Sequence, residues 1–160
     1  MSSHEITLMI NGERVTRRVP ARMSLSDFLR EELKLTDTHV GCEQGACGAC
    51  TVRFNDEQIR SCLMFAVQAD GGHVDTLQGL TRDGSLRRLQ EAFHRNNALQ
   101  CGFCTPGMLV AAAEVLRAHP SPSREQVRAG LSGNYCRCTG YHAIVDAVME
   151  AATAPEETAP

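Results

Sequence analysis

The placement of eight cysteines constrains this chain more than any other feature. They fall into two sets of four: Cys42, Cys47, Cys50 and Cys62, then Cys101, Cys104, Cys136 and Cys138. Such a chain either closes disulfides or holds metal, and the compartment decides between them. The first ten residues lack a basic stretch followed by a long apolar one, so they do not read as a signal peptide. No apolar run approaches the ~18 residues of a membrane span. The expected location is therefore the cytoplasm, where thiols stay reduced, and there eight cysteines favour metal ligation. Composition agrees: with 42% hydrophobic residues the chain can build cores, but aromatics are 4% and Trp is absent. Small domains with thin cores commonly need a metal or another staple. Basic and acidic residues number 8 against 11 up to residue 79 and 8 against 8 beyond it. Neither half has the basic stripe that a phosphate backbone requires, which argues against nucleic-acid binding.

The pattern of secondary structure changes between the two cysteine sets. In the first half Ile6, Leu8 and Ile10 alternate, Asn11-Gly12 supplies a type I′ turn and Val15 to Val19 returns, predicting a hairpin. Ser24 is placed to cap a helix through Leu33 that presents Leu25, Phe28 and Leu29 on one face. The stretch from Val40 to Cys50 carries too many glycines for a regular element and reads as a loop. A second hairpin is expected around Asn55-Asp56, and a last strand at His73 to Leu77. The second half shows helical periods: Leu86, Leu89, Phe93 and Asn97; Met108 to Ala118, opened by Pro106; a helix behind the capping-box spacing Ser123 to Gln126, ending near Gly130; and Tyr141 to Ala151. Domains are expected at 1–79 and 80–153, with a disordered tail at 154–160.

Cys42-x4-Cys47-x2-Cys50, with Cys62 after eleven intervening residues, is the plant-type ferredoxin spacing for a [2Fe–2S] cluster. Three thiolates on one loop must curl around a small inorganic core, and Gly41, Gly45 and Gly48 permit that curvature. Their N–H groups can also point at sulfur. Structural zinc usually takes two close ligand pairs far apart in sequence, which fits this set less well. The second set, Cys101-x2-Cys104 and Cys136-x-Cys138, is separated by 31 residues. Each pair stands before a helix start, where free N–H groups favour thiolates and anionic cores, and Arg137 adds positive charge. On spacing alone a zinc site with four cysteines remains open here.

Three stretches carry a resemblance: Gly41 to Cys50 (GCEQGACGAC), Gln100 to Gly107 (QCGFCTPG) and Gly133 to Tyr141 (GNYCRCTGY). They resemble the iron–sulfur subunit of the xanthine oxidase, or molybdenum hydroxylase, family. The resemblance spans nearly the whole chain, with all eight cysteines in order. It implies an α+β architecture: an N-terminal β-grasp ferredoxin domain followed by an all-α four-helix bundle, each with one [2Fe–2S] cluster. It further implies a relay of electrons from a molybdenum cofactor to FAD. Molybdopterin, as the cytosine dinucleotide, would sit in a large partner subunit and FAD in a medium one, within a heterotrimer or its dimer. Gln100 matches the family position that contacts the pterin. The helical-domain cluster is expected to be buried and the ferredoxin-domain cluster more exposed.

Two other functions compete with this reading. A free-standing ferredoxin would not need residues 80 to 150. A zinc-binding interaction module would be colourless, whereas [2Fe–2S] proteins are red-brown. No Gly-x-Gly-x-x-Gly or Walker loop occurs, so nucleotide and flavin sites belong on other chains. The histidines form no ligand pair, and His73 and His142 read as surface or packing residues.

Overall fold

The computed structural model describes residues 3–153, so the expected disorder at 154–160 lies outside the described residues. Two separate hydrophobic cores organise the chain. The fully buried members of one run from Ile6 to Val74, and those of the other from Leu80 to Ala151.

The first core lies under a five-stranded mixed sheet. Strands β1 (Ser3–Ile10) and β2 (Glu13–Pro20) form an antiparallel hairpin, closed by Asn11 and Gly12 at φ 51° and 82°. Two successive positive φ values are the type I′ geometry that the Asn-Gly pair foretells. Ile6, Leu8 and Ile10 all point inward, as their alternation requires. Strands β3 (Thr51–Phe54) and β4 (Glu57–Arg60) form the second hairpin, turned by Asn55 and Asp56, also at positive φ. Strand β5 (His73–Asp75) is shorter than expected. It lies between the hairpins, parallel to β1 and antiparallel to β3, giving the order β2-β1-β5-β3-β4.

Ser24 caps α1 (Leu25–Asp27) by accepting the Asp27 N–H at 3.0 Å. The chain then widens into a π-helix, Phe28–Glu32, closed by Leu33 N–H on the Phe28 carbonyl. Leu25, Phe28 and Leu29 are buried against the sheet as expected. A short helix that the sequence did not announce, α2 (Leu77–Arg82), leads out of the sheet. Its Gly79 reads as a linker signal, yet a Cβ there would strike the Asn11 side chain, so the glycine serves a close contact.

The second core is enclosed by α3 (Arg87–Arg95), α4 (Thr105–Ala118), α5 (Arg124–Leu131) and α6 (His142–Thr153). Helix α4 buries Pro106 through Ala112 and Val115, and it also packs on β3 and β4 of the sheet. Ser123 and Gln126 make both bonds of the capping box at the start of α5. Asn97, expected on the buried stripe of α3, instead lies beyond its end at φ 49°, and Ala98 takes the core position. Arg95 and Asn96 bind Glu150 and so tie α3 to α6. Among the described residues no helix is long and apolar enough to cross a membrane.

Candidate metal centres

The loop between α1 and β3 carries three thiols of the first set and bends them around a common space. Gly48 stands at φ 74°, a conformation disfavoured for any residue with a Cβ. Its missing Cβ also leaves room for the Gly133 carbonyl and the Asn134 amide of the helical domain. Cys47 N–H donates to Cys42 Sγ at 3.4 Å. The fourth thiol, Cys62, sits in a 3₁₀ turn, Ser61–Leu63, directly after β4. Ser61 donates both its N–H (3.2 Å) and its hydroxyl (2.8 Å) to the Cys50 carbonyl, bringing Cys62 against the loop. The thiols form two couples, Cys42 with Cys47 and Cys50 with Cys62. Backbone N–H groups of Gln44 and Cys47 bring the Cys42 thiol down to about 7. Burial, and then the neighbouring Cys50, push Cys62 up to about 11.

In the second set Cys104 is the N-cap of α4, with Cys101 one tight turn earlier, where Gly102 has φ 79°. Again there are two couples. Cys101 and Cys138 sulfurs are 3.4 Å apart, and Cys104 contacts Cys136. The Phe103 N–H and the Cys138 thiol lower the Cys101 pKa, whereas burial, with Cys136 beside it, pushes Cys104 up to about 12. Burial opposes ionisation of Cys136, but the hydroxyl (3.1 Å) and N–H (3.5 Å) of Thr139 on its sulfur bring it below the ordinary value. Hydrogen bonding to the Cys101 backbone favours a Cys138 thiolate, yet the Cys101 thiol beside it leaves Cys138 raised. Tyr141 accepts the Cys136 N–H on its phenol oxygen at 2.9 Å.

Two expectations need correction. The last helix starts at His142, one residue after the expected Tyr141, so Cys138 does not stand directly at its start; the intervening Thr139 and Tyr141 turn back to bind Cys136. The helical-domain site is also not the more buried one in this chain. Cys101 and Cys138 are exposed, whereas the first set is half-buried or, at Cys50, buried. The reason lies in the bundle: its core ends beneath Cys104, and segments 99–103 and 135–141 lie on its outside. Gln100 is exposed there, and the same two segments carry the exposed apolar side chains Leu99, Phe103, Tyr135 and Tyr141.

Residues next to the two sites meet across the domain junction. Tyr135 N–H donates to the Cys47 carbonyl at 2.8 Å, and the His39 ring stacks on Phe103 at 4.8 Å between centroids. Arg60 donates to Thr51 Oγ1 at 2.7 Å and to the Gly133 carbonyl at 2.8 Å. Neither Arg60 nor Asn134 carries a ligand signature in sequence, and their roles exist only across the junction. Thr139 and Tyr141 were visible as part of a motif, without the contacts that explain them.

Among the described residues no group of three or more His, Cys, Asp or Glu side chains is arranged to hold a single metal ion. Four thiols spread as two couples suit a two-iron core with cysteine on each iron. N–H and hydroxyl donors aimed at sulfur suit its negative charge.

Comparison with known proteins agrees with this chemistry. Residues 8–77 match the family model for a 2Fe-2S iron-sulfur cluster binding domain, and residues 76–149 match that for a [2Fe-2S] binding domain. The chain is 50% identical over 159 residues to caffeine dehydrogenase subunit gamma of Pseudomonas sp. (strain CBB1), covering 98% of this chain and 95% of that one. It is 53% identical over 147 residues to the nicotine 6-hydroxylase small subunit of Paenarthrobacter nicotinovorans, covering 92% and 88%. A chain of the crystal structure of quinoline 2-oxidoreductase from Pseudomonas putida 86 superposes with a TM-score of 0.89 at 49% identity, covering 94% and 93%.

Proposed function

The chain belongs to the iron–sulfur subunits of the molybdenum hydroxylase family, and on that footing we propose a ligand set for each of two clusters. Cys42, Cys47, Cys50 and Cys62 hold one [2Fe–2S] cluster; Cys101, Cys104, Cys136 and Cys138 hold the other. The observation that carries this reading is the gathering of each set: Cys47 N–H lies 3.4 Å from Cys42 Sγ, Ser61 draws Cys62 against Cys50, and the Cys101 and Cys138 sulfurs are 3.4 Å apart. The protein is an electron-transfer subunit of an oxidoreductase, and substrate chemistry lies on a partner. Bound in these sites, the clusters supply one-electron transfer between two-electron centres at either end. The chain's own residues set the terms: Cys47 N–H donates to Cys42 Sγ, and Thr139 donates twice to Cys136 Sγ. Donors to sulfur stabilise the more negative, reduced form.

The domains divide at 1–79 and 80–153 in this reading. The partners are a large subunit carrying molybdopterin, as the cytosine dinucleotide, and a medium subunit carrying FAD, joined in a heterotrimer or its dimer in the cytoplasm. Relatives named as gamma, small or beta subunits support the existence of partners. The exposed apolar side chains that neighbour Cys101 and Cys138 in the chain, Leu99, Phe103, Tyr135 and Tyr141, suit a surface that the large subunit covers. Gln100, exposed directly before Cys101, offers an amide with both donor and acceptor to the pterin edge.

The holo-chain should contain about four iron and four acid-labile sulfide. Stoichiometric zinc without sulfide would overturn the assignment. Gln100→Ala in the assembled complex should keep its iron yet slow cluster reduction by substrate, while dithionite still bleaches it normally. Unchanged substrate-driven reduction would remove Gln100 from the route.

A further inference from the structure

The domains meet at a knot of polar groups that is buried. Thr51 and Asn134 are 3% and 2% exposed. Thr51 donates its hydroxyl to the Gly48 carbonyl at 2.6 Å, and the same oxygen accepts from Arg60 and from Asn134 Nδ2. Asn134 Nδ2 reaches the Gly48 carbonyl as well, at 3.0 Å. The Arg60 guanidinium spans the junction, with one arm on Thr51 of β3 and the other on the Gly133 carbonyl and Asn134 Oδ1. Those acceptors are all neutral. A charge held partly out of water by neutral oxygens is not a strong source of stability. Charge-assisted bonds in a fixed fork do define geometry.

The geometry they define concerns the next residue along. Tyr135 follows Asn134 and precedes Cys136, and its N–H meets the Cys47 carbonyl at 2.8 Å. One hydrogen bond therefore completes a through-bond route from a cysteine of the first set to a cysteine of the second. Helix α4 presses on the same loop from the other side, close enough that a Cβ at Gly107 would clash with the Gly48 carbonyl.

We propose that Arg60 is a positioning residue for electron transfer between the two clusters. By clamping Gly133–Asn134 onto Thr51 and Gly48 it keeps the Tyr135–Cys47 hydrogen bond closed, and so fixes the coupling between the sites. This rests on the reading that both cysteine sets hold clusters, and the test separates the two claims.

The measurement is electron paramagnetic resonance on the full chain loaded with iron and sulfide. Partial reduction shows each cluster's own signal; full reduction adds their mutual spin–spin splitting, which depends steeply on separation and bonded contact. Arg60→Ala should keep its iron and both individual signals, with a splitting severalfold smaller. Arg60→Lys, which retains the charge but not the fork, should fall between. Thr51→Val removes the shared hydroxyl and should shift the splitting in the same direction, which decides the matter should Arg60→Ala fail to fold. Wild-type splitting in Arg60→Ala, or in Thr51→Val where that variant decides, overturns the clamp. Absence of two [2Fe–2S] signals from the unmodified chain would instead overturn the ligand assignment beneath it.

Discussion

The two cysteine sites solve one chemical problem with different means. In the sheet domain a single loop brings three thiols together, its own backbone donates to sulfur, and a 3₁₀ turn delivers the fourth. In the helical domain two distant segments each bring two thiols, and a threonine hydroxyl does part of the donating. The first site has no exposed thiol, whereas the second leaves Cys101 and Cys138 at the surface; exposed apolar side chains neighbour both in the chain, Leu63 and Phe65 at the first and Leu99, Phe103, Tyr135 and Tyr141 at the second. A site made by one loop can be self-sufficient. A site at the end of a bundle keeps an open side.

The hardest test of this contrast is independence. Cys47→Ser and Cys104→Ser should each lower iron from about four to about two per chain and abolish one resonance signal while sparing the other. Loss of both signals from either variant, with folding verified by circular dichroism, would mean the sites are not separate. Exposure offers the next test. In the isolated holo-chain an iron chelator should bleach the helical-domain cluster first, and assembly with the partner subunits should erase that difference. Equal rates in the isolated chain would contradict the asymmetry of burial.

Much of this contrast is legible in the residues. Asn11-Gly12 and Asn55-Asp56 announce hairpins because left-handed backbone suits few residue types. Ser123 and Gln126 announce a helix because their side chains satisfy its first N–H groups. The cysteine spacing gives the sets, as thiolates on one loop leave a fixed interval. What stays hidden depends on neighbours distant in sequence. The π-helical turn at Phe28–Glu32 has no signal in the residues, since Leu25, Phe28 and Leu29 share a face in an ordinary α-helix as well. Gly79 looks like a linker until Asn11 is placed against it. The exposure of Cys101 is a property of where the bundle ends, which periodicity does not encode.

The remaining predictions probe how separately the halves behave. Phe28 and Phe93 are both fully enclosed, one in each core. Replacing either with Ala should cost about 3–5 kcal/mol, and denaturant unfolding with a probe in each domain should show the loss chiefly where the cavity lies. Thr139→Val removes the hydroxyl donor to Cys136 Sγ. A donor whose bond to sulfur is about 1 kcal/mol stronger in the reduced state than in the oxidised one raises the potential by roughly 40 mV for one electron. Redox titration should find the helical-domain potential lowered by about that much and the other unmoved. The smallest effect concerns acid. Glu150 lies below its ordinary pKa because Asn96 and then Arg95 bind its carboxylate. A depressed carboxylate contributes stability above its unfolded pKa and loses it as pH falls through the folded one. Glu150→Gln should therefore flatten slightly the acid limb of helical-domain stability below about pH 5, with little change in the sheet domain.

The position of β5 has a consequence for biosynthesis. The two hairpins share no strand pairing except through those three residues, which are made after all four cysteines of the first set. A ribosome thus releases Cys62 before the frame around it can close. The Gly48 turn receives its cover from Gly133 and Asn134 later still. Domains ordinarily mature in the order of translation, and here the sheet domain cannot close before β5 has been made. The frame of the first site therefore closes only once β5 has been made, and its cover arrives with the helical domain.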